Sequence, residues 1–174
     1  MNGNVLRTLL RAWLVIAVVD GIFATLLPVV AYGAPLGRVW QGVASTVLGP
    51  AAMQGGARTM VVGLAMHACT AFAWTAVFLA LALASPKLRE IVALPSGIVG
   101  VSLVYGPAIW LVMSFLVIPA LTGRPPTIDG RWWVQLAAHV PFVALPIVAM
   151  IGRGLGPVGG VVRVRPLGDA TNAT

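Results

Sequence analysis

Four stretches of about twenty or more largely apolar residues dominate this chain, and they fix what it can become. They run at about residues 11–31, 59–84, 91–121 and 132–151. A transmembrane helix needs about 20 such residues, because only a helix satisfies its own backbone across a hydrocarbon layer of about 30 Å. The composition leaves no alternative. Hydrophobic residues make up 59% of the 174 and charged residues only 9%, whereas a soluble domain carries about 25% charged residues. The pattern therefore predicts an all-α fold, an integral membrane four-helix bundle. It excludes a soluble domain, a disordered chain and a nucleic-acid binder. The net charge of +7 is scattered through loops and ends, where it reads as orientation against anionic lipid.

The charge distribution also predicts sidedness. Arg7, Arg11, Lys87, Arg89, Arg153, Arg163 and Arg165 share one side of a four-span chain, and Arg38, Arg58, Arg124 and Arg131 the other. The excess places both termini in the cytoplasm. The first apolar stretch is too long for the core of a secretory signal and carries Asp20, so it reads as an uncleaved helix. Residues 1–151 form one transmembrane domain in this reading. Residues 152–174, rich in glycine and small polar residues, read as a flexible cytoplasmic tail. Trp13, Trp132 and Trp133 fall near expected span ends, where indole rings favour the interface. Pro95, Pro107, Pro141 and Pro146 lie inside spans and predict kinks.

Between the first two spans, Leu36, Val39, Trp40, Val43, Val47 and Leu48 recur at helical spacing, with Gln41, Ser45 and Thr46 largely opposite. Gly49-Pro50 stops the run. It is too short to cross, so it predicts an interfacial helix or a re-entrant one. Its small residues Gly42, Ala44 and Ser45 suit close packing on the bundle.

Three ionisable residues fall inside the apolar stretches: Asp20, His67 and His139. Such residues are costly in hydrocarbon and turn to the bundle interior. His67 and His139 lie eight and seven residues into spans that start on the same side, so both sit roughly 11–12 Å deep. Asp20 is expected about one turn deeper. Helical stripes place Gly63, Thr70 and Trp74 with His67, and Gln135 and Phe142 with His139. Tyr105 and Trp110 on the third span complete a possible polar pocket.

Three chemistries remain open for this group. Asp20 and a histidine can act as interhelical glue with no further role. His67 and His139 can ligate a haem or a metal ion, with Arg58, Arg124 and Arg131 near haem propionates and Asp20 or Cys69 as a third metal ligand. Asp20 and the histidines can also relay protons in a small proton-coupled carrier, which at this length would work as a homodimer. Cys69, the sole cysteine, otherwise reads as a small packing residue. No serine-hydrolase elbow, zinc-protease helix, phosphate loop or carboxylate pair occurs, so an enzyme is disfavoured.

The segments Arg38-Val-Trp-Gln-Gly-Val-Ala-Ser45, Gly63-Leu-Ala-Met-His67, Tyr105-Gly-Pro-Ala-Ile-Trp-Leu-Val-Met113 with Pro119, and His139 followed by Leu145-Pro146-Ile147 resemble a family of small four-span bacterial inner-membrane proteins without an established activity. The resemblance covers about residues 10–151. It implies four spans and a bacterial inner-membrane location, and it assigns no residue a role. Ser114 stands where an asparagine often follows the methionine in that family.

Overall fold

The computed structural model describes residues 3–156, and among them it holds six helices and no strand. We number them α1 (Gly3–Ala31), α2 (Leu36–Leu48), α3 (Gly56–Ala84), α4 (Pro86–Val92), α5 (Pro95–Thr122) and α6 (Gly130–Leu155). Four of them, α1, α3, α5 and α6, are long and apolar enough to cross a membrane. The protein is a multi-pass, all-α membrane bundle, and its large apolar side chains turned outward (Leu14, Val18, Ile22, Val104, Leu116) meet lipid.

Three of the four spans, α1, α3 and α6, are longer than their apolar stretches. Helix α1 begins at Gly3, so Trp13 lies ten residues inside it and donates its indole N–H to the Ala68 carbonyl at 2.8 Å. It links two spans. Trp132 is likewise buried, donating to Ser114 Oγ at 2.7 Å, while Trp133 alone of the three is exposed. At the far end α6 runs on to Leu155, and Gly152 is buried against Val92. The helix therefore covers the first residues assigned to the tail. Residues 157–174 of that tail lie outside those described.

The second connection is a helix of its own. Ser85 caps α4, its hydroxyl accepting from the Leu88 N–H at 3.2 Å, and Pro86 occupies the first helical position. Leu94 and Pro95 then restart the chain as α5, so Pro95 opens a span and makes no kink. Of the expected kink sites only Pro141 lies in a π-helical turn, at 139–144; Pro107 and Pro146 lie in regular α-helix, and further π turns occur at 27–31 and 113–117.

The ends of the spans define two faces. At the terminal face, Gly154 is closed down on Thr8, and the Arg89 guanidinium donates to the carbonyls of Leu155 and Gly156 at 3.2 and 3.3 Å. This charged cap satisfies the last carbonyls of α6. Arg89→Leu should lower stability in detergent by about 1–2 kcal/mol, with Arg89→Lys recovering part of it in thermal unfolding. At the opposite face, Arg131 stacks over the Tyr32 ring at 4.2 Å.

Helix α2 lies against the part of α3 nearest that opposite face. Its bedded side is Trp40, Gln41 and Ala44, whereas Leu36, Val47 and Leu48 face outward. The amphipathic stripe in the sequence is thus only partly the packing face. In a bilayer the aliphatic side chains Leu36, Val47 and Leu48 meet lipid, while Trp40, Gln41 and Ala44 meet protein. Gln41 is satisfied by donating to the Gly56 carbonyl at 3.2 Å. Gly42 has open space beside it and contributes nothing to the close approach.

The two halves of the bundle differ. The half nearer the terminal face is solid: Leu9, Ala12, Phe78, Leu79, Val92, Ile98, Ile147 and Ile151 form one continuous core. The half nearer the α2 face holds the cavity described next.

Candidate functional site

A cavity of about 270 Å³ lies between all four spans and α2. Helix α1 contributes Ile16 and Asp20; α2 contributes Val43 and Thr46; α3 contributes Met66, His67, Thr70, Ala71 and Trp74. Helix α5 adds Ile109, Trp110 and Met113, and α6 adds His139 and Val143. Asp20, His67, Trp110 and His139 therefore share one chamber. The fifth residue of the expected pocket does not. Tyr105 donates its hydroxyl to the Trp74 carbonyl at 2.7 Å and packs against Phe78, outside the lining. Residues 105 and 110 are five positions apart, about 140° around a helix, so they cannot line the same wall of α5.

Asp20 and His67 stand at the same level, each eleven residues, or about 16 Å, from the α2-face end of its helix. His67 Nδ1 is 3.9 Å from Asp20 Oδ2, and the two side chains are only 14% and 22% exposed. The longer helices correct the expected offset of one turn. On its other side, His67 Nε2 is 3.3 Å from the Ala17 carbonyl. A carbonyl oxygen only accepts, so Nε2 carries the hydrogen. Nδ1 is then the nitrogen that faces Asp20. A proton carried by the pair would sit on Asp20 Oδ2 or on His67 Nδ1.

The ring of His67 is held in place by Trp40 of α2, edge to face with centroids 5.3 Å apart, and Gly21 of α1 leaves room for Nε2. Gly63, one turn earlier, lets α2 come close enough for this: a Cβ there would run into the Trp40 carbonyl. On α6, His139 Nδ1 donates to the Gln135 carbonyl at 2.7 Å, which leaves Nε2 as a free acceptor. Trp110 lies on this ring at 4.9 Å, and Gly106 admits the His139 backbone against α5. The π turns at 113–117 and 139–144 both border the cavity. Such turns occur often at functional sites, because they re-aim side chains within a helix.

These geometries test the cofactor readings. A haem held by both histidines needs an unprotonated ring nitrogen from each, aimed at one iron. His139 has one. On His67, with Nε2 serving the Ala17 carbonyl, the remaining nitrogen Nδ1 faces Asp20 Oδ2 at 3.9 Å. Cys69 faces out of the bundle, so it cannot complete a metal site here. Among the described residues no three His, Cys, Asp or Glu side chains gather closely enough to hold a metal ion.

The lining residues Val43, Thr46, Met66 and Met113 carry no charge and stood out in no stripe aimed at the site. Only the length of the α2 run signalled that a helix would reach the chamber. No protein-family model, curated protein or solved structure matches this chain.

Proposed function

We propose that this chain is a small proton-linked carrier of the bacterial inner membrane, with both termini cytoplasmic, and that it belongs with the four-span proteins it resembles. The observation that carries the reading is the Asp20–His67 pair at 3.9 Å on the wall of a bundle cavity. A carboxylate at this depth is costly to retain. A proton-transfer role accounts for its being kept neutral by a partner and open to a chamber. The excess of basic residues on the terminal face supports the orientation.

The test uses the full chain in liposomes containing a trapped pH dye. Three probes of similar size are added outside in turn: benzyltrimethylammonium, its neutral isostere neopentylbenzene, and phenylmethanesulfonate. The proposal expects at least one to move protons in wild-type vesicles and none to do so in Asp20→Asn vesicles. Wild-type protein that is folded and moves no protons with any of the three overturns it.

A further inference from the structure

We infer that the occupant of the cavity is a monovalent organic cation that displaces the proton of the Asp20–His67 pair, and that it arrives from the α2 face. The inference rests on the carrier reading and names the substrate class of the same site.

Charge is the first argument. No lysine or arginine lines the chamber. An anion would meet the Asp20 carboxylate with no fixed cation to compensate it, at a cost that rises steeply in a medium of low polarity. A cation meets the opposite situation. The titratable groups on the wall are Asp20, His67 and His139. Helix α5 presents Trp110 and Met113, and α2 presents Val43 and Thr46, none of which titrates. The nearest further charges, Arg124, Asp129 and Arg131, border the outer cavities and not this one.

The proton balance follows. With the chamber empty of ligand, the pair holds one transferable proton between Asp20 Oδ2 and His67 Nδ1. When a cation enters, that proton leaves to water. Asp20 stays as the carboxylate and His67 stays neutral, with Nε2–H on the Ala17 carbonyl. No covalent bond other than that to the proton is made or broken. The chamber is neutral before and after, so one cation exchanges for one proton. A second proton, on the free Nε2 of His139, makes the wall positive and also opposes the cation.

The walls fit this guest. Trp74 and Trp110 supply indole rings, and Met66 and Met113 supply polarisable thioethers. Indoles are the strongest cation–π partners among side chains, and aromatic walls are a recurring means of holding quaternary ammonium groups. The cavity of about 270 Å³ has room for roughly nine groups the size of a water molecule, at about 30 Å³ each. That suits a small alkyl- or arylammonium ion.

The route is one-sided. Thr46, Ile118 and Leu121 line both the inner chamber and a vestibule bounded by Gly49, Pro50 and Arg124 at the α2 face. The opposite end of the chamber is closed by Ile16, Ile109 and Val143, which belong to the buried core. The route through these shared residues leads toward the α2 face.

The test measures binding of benzyltrimethylammonium to the purified full chain by calorimetry in buffers of differing ionisation heat. One proton should be released per cation bound. Over the acid range, affinity should weaken by about tenfold for each unit of pH. Neopentylbenzene should bind far more weakly, and Asp20→Asn should lose both the binding and the proton release. Equal affinity for the neutral isostere, or cation binding without proton release, overturns the inference. In the liposome assay the dye should report alkalinisation inside when the cation is added outside. Proton movement driven by the neutral or anionic probe leaves the carrier reading standing and removes the cation. Wild-type binding at several pH values needs no variant, so a folding defect in Asp20→Asn leaves the test decisive.

Discussion

Alanine at position 63 is expected to lower stability by about 3 kcal/mol, the upper end of what overpacking usually costs. The added methyl would land on the Trp40 carbonyl, and the obstacle is backbone. No rotamer change relieves it, so α2 has to lift away from α3. That movement carries Trp40 off the His67 ring and shifts Val43 and Thr46 on the cavity wall. Gly63→Ala should therefore damage the site as well as the fold. Gly100→Ala is the matched control. Gly100 lies on α5, exposed, with nothing near its missing side chain. There the methyl removes backbone freedom from the unfolded chain and is expected to be neutral or to stabilise by up to about 1 kcal/mol. Thermal unfolding of both variants in the same detergent decides the matter. Equal midpoints would show that α2 is not held by backbone contact at Gly63.

The contrast between these two glycines shows where sequence reading stops. Hydropathy reveals four spans because the bilayer imposes one length and one chemistry on every crossing helix. Ionisable residues within those spans must face inward, which is why Asp20, His67 and His139 were legible as neighbours before any coordinates. Helix ends were less legible. Arg7 and Arg11 interrupt hydropathy without interrupting α1, since long basic side chains reach the interface from within a helix. Ser85-Pro86 is a helix start in plain sight, but a seven-residue helix in a connection leaves no apolar period to accompany it. Packing partners were not legible at all. The stripe it shares with His67 marks Gly63 as inward-facing, but what it packs against, the Trp40 carbonyl, is visible only in the structure. The pairing of His67 with both Ala17 and Asp20 depends on angular detail within a single ring.

The second large effect concerns that ring. His67→Leu should cost up to about 3–5 kcal/mol, the range for a buried charge that has lost its partner, because it leaves the Asp20 carboxylate facing an apolar wall. The penalty should shrink in acid, where Asp20 takes up a proton and the charge is gone. Asp20→Leu should be milder, since it leaves a neutral imidazole whose Nε2–H still reaches the Ala17 carbonyl. The double variant should recover most of the loss, because replacing both members of a buried pair by apolar groups is often neutral or stabilising. A purely structural pair and a working one agree on this stability cycle, and they part company on proton movement. If the pair only fastened α1 to α3, the refolded double variant would keep whatever exchange the liposomes show. A double variant that is stable and moves no proton assigns the transfer to Asp20 and His67 themselves. A double variant less stable than either single change would mean that the two side chains do not neutralise each other, and the one-for-one exchange would lose its basis.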